Sequence, residues 1–120
     1  MLTFRDYMET ALYDPERGFY SRRIPTEDFY TAPELHPAFG GVVARALARR
    51  LDELKASGVP GPYTLVEMGS GSGLLARQIL HSLRKENRAL AEEVSYILIE
   101  RTRDMLLSSM VSLSSATEKL

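Results

Sequence analysis

Glu67 stands two residues ahead of Gly69, and Gly69, Gly71 and Gly73 alternate with Ser70 and Ser72. Glu100 closes the next apolar run. A turn of alternating glycines lets a ligand lie against bare backbone, and it aims the N–H groups of a following helix at that ligand. An acid at the carboxyl end of a parallel strand is placed to accept hydrogen bonds from two ribose hydroxyls. The glycines are spaced G-x-G-x-G. The third glycine of a dinucleotide fingerprint falls at position 74, which is leucine, and no Lys followed by Ser or Thr ends the turn as a P-loop requires. Both phosphate-cradling readings are thereby weakened. The combination favours a ribose-bearing ligand and makes no demand for a pyrophosphate.

Such a turn needs a strand before it, a helix after it and a second parallel strand beside it, and the flanking patterns supply them. "YTLVEM" (63–68) is β-prone. Residues 73–86 carry Leu74, Leu75, Ile79, Leu80 and Leu83 at helical spacing, and "SYILIE" (95–100) is a second β-prone run ending in Glu100. Strand, turn, helix and strand in this order predict a βαβ unit with parallel strands, so that Glu67 and Glu100 share one carboxyl edge. Residues 103–120 open as a further helix, against which their serines stand.

The first half is helix and loop. Phe4, Tyr7, Met8, Ala11 and Leu12 trace one apolar face of a helix over 4–13, with Thr3 as N-cap and Asp6 in the first turn. Pro15 and Gly18 mark a turn. Residues 19–37 contain three prolines and read as an irregular but ordered loop, anchored by Phe19, Tyr20, Phe29 and Tyr30. A second helix is expected from Pro37 to Ser57, stopped by Gly58, with Phe39, Val43, Ala46, Leu47, Leu51 and Leu54 as its buried stripe. Arg45, Arg49 and Arg50 belong to its solvated face. His36 suits the start of that helix, and His81 the surface.

The 120 residues are enough for one small domain, with 44% hydrophobic and 26% charged residues as in ordinary globular proteins. A net charge of −1 provides no basic field for nucleic acid or anionic membrane. No run approaches the ~20 apolar residues of a membrane span. The absence of cysteine excludes disulfides and thiolate metal sites, and two separated histidines make no metal site.

"EMGSGSG" (67–73) matches the E/D-x-G-x-G-x-G motif of class I S-adenosylmethionine-dependent methyltransferases, which the chain resembles. "YMETALYDPERGFY" (7–20), "DFYTAPELHPAFG" (28–40) and "LVEMGSGSG" (65–73) together resemble one family within that class. It includes the mitochondrial complex I assembly arginine methyltransferase and its bacterial relatives. The resemblance covers roughly residues 3–102, and Phe19 departs from the family's usual Tyr.

The resemblance implies an α/β chain that is the N-terminal part of a Rossmann-like class I methyltransferase fold. Residues 1–62 form a helical and loop region on the substrate side, and 63–120 start the cofactor-binding domain. It implies S-adenosyl-L-methionine as cofactor, held by Glu67, Gly69, Ser70, Gly71, Gly73 and Glu100, with Glu100 on the ribose. It implies a protein arginine as acceptor, and a bacterial cytoplasmic or mitochondrial matrix location. Family members are about three times as long, so this chain is read as an N-terminal piece.

Methyl transfer from a sulfonium is an in-line displacement that needs orientation more than acid–base chemistry. A guanidinium acceptor is well held by carboxylates. The loop bearing Asp28, Thr31 and Glu34 is therefore expected to fold over the glycine turn, with Glu34 and Asp28 as candidate catalytic residues. Glu34, just after Pro33, equally suits an acid at a helix N-terminus. Glu67 equally suits a capping acid or an arginine partner. Two further functions stay open: a non-catalytic assembly module with a degenerate turn, and a nicotinamide-binding domain, which Leu74 disfavours.

Overall fold

The computed structural model describes residues 1–22 and 29–117. Their elements are α1 (Phe4–Tyr13), α2 (Phe19–Arg22), α3 (Ala32–Leu35), α4 (Ala38–Ala56), β1 (Tyr63–Met68), α5 (Leu74–Glu86), α6 (Arg88–Glu92), β2 (Val94–Ile99) and α7 (Arg103–Thr117). The class is α/β. β1 and β2 pair in parallel, with Tyr63 opposite Val94 and Met68 opposite Ile99. Because β1 starts at Tyr63, its partner starts at Val94 and ends at Ile99. Glu100 therefore lies one residue past the strand that it was expected to terminate.

The two strands alternate burial along their length. Tyr63, Leu65, Val94 and Tyr96 face a cluster made with Ala44 and Leu51 of α4, Ile79 and Leu83 of α5 and Leu90 of α6. One core therefore spans both sides of residue 62. The opposite sheet face carries Val66, Met68, Ile97 and Ile99, all exposed.

Several boundaries follow from local chemistry. Thr3 caps α1: its Oγ1 accepts from the Asp6 N–H, and its own N–H donates to Asp6 Oδ2 at 2.9 Å. Gly58, at φ +89°, ends α4, and the next N–H, that of Val59, bonds back to the Leu54 carbonyl at 3.0 Å. The His36 ring accepts from the Ala38 N–H at 3.0 Å, which makes it the residue that starts α4. Asn87 ends α5 and caps α6 by accepting from the Leu90 N–H. The serines of α7 are tolerated because Ser109 and Ser114 donate back to Leu106 and Val111 carbonyls of the preceding turn.

Four expectations change. The stretch 19–37 is not irregular throughout: α2 and α3 form at its two ends, α3 opening at Ala32 with Pro33 in its first turn, where a fixed φ suits. The buried stripe of α4 keeps Leu51, with Val43, Leu47 and Leu54 partly buried against the core, and adds Gly40 and Ala44, while Phe39 and Ala46 are exposed, because α5 approaches the glycine side of the helix. On α5, Ala76 joins Ile79 and Leu83 as fully covered. None of α1 is buried, and Phe4 and Tyr7 remain open to solvent. Residues 23–28, which include the candidate Asp28, lie outside the described residues.

Ile79→Val removes one methylene from the centre of the core and is expected to cost about 0.5–1.5 kcal/mol. Val111→Ala, at an exposed site of α7, is expected to stay within about 0.5 kcal/mol. Urea denaturation midpoints at unchanged m-value measure both.

Candidate functional site

The chain leaves β1 at Met68 and must reach α5 within five residues. Gly69, Gly71 and Gly73 all adopt positive φ, at 70°, 53° and 73°, a region that costs an L side chain roughly 1–2 kcal/mol. The three glycines nevertheless do different work. A Cβ on Gly69 or Gly71 would meet nothing within 4 Å, so these two border open space. A Cβ on Gly73 would come within 2.8 Å of the Ser109 Cβ, so Gly73 lets α7 pack closely beneath the turn.

The N–H groups of the turn are mostly spent inside the protein. Gly69 donates to the Ile99 carbonyl at 2.7 Å, and Ser70 to the same oxygen at 3.4 Å. Gly73 donates to the Ser70 carbonyl at 2.8 Å. Gly71 donates to Glu100 Oε2 at 2.9 Å, and Oε1 of the same carboxylate accepts from the Thr102 N–H at 2.9 Å. Glu100 therefore points at the bend, as the βαβ arrangement requires. A carboxylate offers about four lone-pair sites, so two remain for other donors.

A cavity of about 290 Å³ lies against this turn, near the lower limit for small-molecule sites of roughly 300–1,000 Å³. Gly69, Ser70, Gly71, Ser72 and Glu67 form one wall, and Phe29, Thr31, Pro33 and Glu34 another. The loop with Glu34 does fold over the turn. Gly73 and Glu100 lie outside the lining, one beneath the turn and one bonded behind it. Among the described residues, Glu34 and Glu67 are the charged residues of the lining, and no lysine or arginine joins them. The Ser70 side-chain oxygen is buried with no hydrogen-bond partner among the described residues, which is costly unless something meets it. Bare backbone, an unmatched hydroxyl and two carboxylates fit a small ligand with donor groups and positive charge.

Glu67 and Glu34 are both held. Glu67 Oε2 accepts from the Tyr96 hydroxyl at 2.8 Å across the strand pair. Partial burial pushes the Glu67 carboxyl above its usual range, and the Tyr96 bond opposes that. Burial, then the bond to Glu67 and its charge, raise the Tyr96 phenol, so it remains a donor. Tyr96 is a site residue that the sequence reading missed. Its signal was its place in β2, two positions from the residue opposite Glu67 and on the same face. Glu34 Oε2 accepts from both the N–H and the hydroxyl of Thr31, at 2.6 and 2.7 Å, so it does start a helix. Among the described residues its other oxygen has no partner. The candidate Asp28 is not described.

Arg101 fastens the N-terminal helices beside this edge. Its guanidinium pairs with Glu9 and lies 3.9 Å over the Tyr13 ring, which stacks on Tyr20.

Residues 42–117 match the family described as "Putative S-adenosyl-L-methionine-dependent methyltransferase". The chain belongs to this family. Among its relatives is the Drosophila melanogaster "Protein arginine methyltransferase NDUFAF7 homolog, mitochondrial", 39% identical over 67% of the chain and 18% of the relative. The Caenorhabditis elegans protein of the same name is 30% identical over 98% of the chain and 28% of the relative. The Homo sapiens "Protein arginine methyltransferase NDUFAF7, mitochondrial" is 29% identical over 99% of the chain and 27% of the relative. The chain thus spans under a third of the length of these curated relatives.

Tyr96→Phe keeps the ring and deletes the bond to Glu67. It is expected to raise the Glu67 pKa further. A bond to a charged acceptor contributes about 1.5–3 kcal/mol, and the partial exposure of Glu67 puts the loss at pH 7 at the lower end. The sign follows from linkage. Burial already makes Glu67 bind its proton more tightly when folded, so its stability cost appears as pH rises from the unfolded pKa through the folded one. The stability gap between Y96F and the unaltered protein should therefore be widest at neutral pH and shrink as pH falls through the folded Glu67 pKa. Urea titrations from pH 4 to 8 measure it.

Proposed function

We propose that residues 63–117 begin a Rossmann-like cofactor-binding domain that takes S-adenosyl-L-methionine, and that the whole protein transfers the methyl group to a protein arginine. The observation that carries the cofactor reading is the pairing of a glycine turn with two carboxylates and, among the described residues, no cation in one cavity. Such a lining repels a pyrophosphate and attracts an ammonium or sulfonium. When bound, the cofactor supplies an electrophilic methyl group on sulfur.

The chain's residues would hold and orient. Gly69 and Gly71 let the ligand reach the backbone, Ser70 offers its unmatched hydroxyl, and Glu67 offers a carboxylate to a cationic group. Glu100 has lone pairs left for ribose hydroxyls. Gly73 contributes by letting the turn close. Glu34, with one oxygen unpartnered among the described residues, serves the acceptor guanidinium, and Asp28 is retained as its companion on sequence grounds. Residues 1–62 form the substrate side, with α4 shared by the common core. The arginine acceptor is carried over from the names of the relatives, as is a mitochondrial matrix location for a eukaryotic source; a bacterial source implies the cytoplasm.

Calorimetry with S-adenosylmethionine, S-adenosylhomocysteine and NAD tests the cofactor. Binding of the demethylated product is expected, weakened at least tenfold by Glu100→Gln, which loses an acceptor for one of its two backbone partners. Binding of NAD alone overturns the reading, and binding of none of the three favours the non-catalytic assembly module.

Glu34→Gln tests the acceptor role. In the complete protein it is expected to lower the rate of arginine methylation by about 10²-fold, a typical effect of removing one electrostatic contact, while product affinity changes less than about twofold. An unchanged rate rejects the role.

A further inference from the structure

One wall of the cavity is a four-residue helix with little to hold it. α3 buries none of its residues, and a helix this short has no stability of its own. The bonds between Thr31 and Glu34 are internal to it. It lies against α4 and α5, runs into α4 through His36 and Pro37, and is preceded by Phe29, which stacks on Phe19; its hydrogen bond to the body comes from the Gln78 side chain on α5, whose Nε2 donates to the Pro33 carbonyl at 2.8 Å. Among the described residues this is the one hydrogen bond joining 29–35 to α4 or α5.

The surroundings of Gln78 are built for that bond. Gly40 of α4 lies directly beside it. A Cβ there would fall 2.3 Å from the Gln78 Cβ and 2.6 Å from its Oε1, so a side chain at position 40 would displace the amide. The Oε1 atom is buried without a hydrogen-bond partner among the described residues. A buried amide oxygen left unmatched costs roughly 1–3 kcal/mol. Leucine or methionine at position 78 would fill the same space without that cost. The polar group is therefore not explained by core stability, whereas its donor end is spent on the loop that carries Glu34.

We propose that Gln78 is a positioning residue: its side-chain amide, admitted by Gly40, clasps the Pro33 carbonyl and holds the Thr31–Glu34 wall over the glycine turn. It touches neither cofactor nor acceptor. It sets the width of the cavity, and so the place of Glu34 relative to Glu67. The effect on ligand affinity rests on the cofactor reading above; the effect on loop order does not.

The test separates clasp from scaffold by sign. Gln78→Met keeps the volume, removes the unmatched oxygen and removes the donor. The expected outcome is an unchanged or higher melting temperature, together with a local loss of order. Amide order parameters over Thr31–Leu35 should fall from about 0.85 to below about 0.6, the values of rigid and mobile backbone, while those of α5 stay fixed. S-adenosylhomocysteine should bind roughly five- to tenfold more weakly. Gln78→Glu gives a second reading. Its carboxylate cannot donate at pH 7 and repels the Pro33 carbonyl, but protonation restores a donor, so order over 31–35 should return near pH 4.

Unchanged order parameters in Q78M, or order in Q78E that ignores pH, overturn the proposal even if the product still binds. A global drop in melting temperature with 31–35 no looser than the rest also overturns it. Failure of the unaltered protein to bind the product removes the cofactor reading alone, and loop order then decides the clasp.

Discussion

The Glu100 carboxylate, spread between the N–H of Gly71 and that of Thr102, is the contact on which the site depends. Three positive-φ residues in five make a turn that the backbone does not favour by itself. It persists because its N–H groups are claimed from one side: by the Ile99 carbonyl at the start of the bend and by Glu100 in the middle. Both claimants come from the end of β2. The parallel pairing of β2 with β1 therefore does more than build a sheet. It delivers one carbonyl and one carboxylate to the only level at which they can hold the turn open.

The core beneath is one-sided. α4 and α5 cover one face of the two strands, and the other face leaves Val66, Met68, Ile97 and Ile99 in contact with solvent. A parallel sheet normally has both faces covered. Here the rigidity under the turn comes from α5, whose Ala76, Ile79 and Leu83 are almost wholly enclosed, and from Gly73 lying against Ser109. The cavity sits where enclosed packing ends and exposed backbone begins. That is where a ligand can be admitted without unfolding anything.

How much of this was legible in the sequence depended on the range of the interaction concerned. Strand, turn, helix and strand could be read because periodicity and glycine are local signals, and the bounds of α4 and α5 fell within a residue or two. Parallel pairing and the shared edge of Glu67 and Glu100 followed from topology. What escaped reading were contacts set by packing. The Tyr96–Glu67 bond depends on strand register, the Gln78–Pro33 bond on how close two helices come, and the burial of Gly40 and Ala44 on α5 choosing the glycine side of α4. Three short helices, α2, α3 and α6, escaped because four or five residues carry no periodicity. The apolar face of α1 was read correctly as a pattern, but a pattern does not say what covers it.

The same bonds that fix the turn also argue about what it can accept. A phosphate nest needs backbone N–H groups aimed outward and unspent. In this turn those of Gly69, Ser70, Gly71 and Gly73 are already donated inward. What the turn turns toward the cavity is space beside two Cα atoms, a buried hydroxyl oxygen and the Glu67 carboxylate, with Glu34 across from them. An anion entering would meet two negative charges, with the Ser72 N–H and those of the first turn of α5 as its donors. A cation would find both charges already oriented, one by Tyr96 and one by Thr31, so little ordering entropy remains to be lost on binding. The missing glycine at position 74 and the spent N–H groups are thus two views of one choice, in which the bend gives up phosphate recognition and keeps close backbone approach.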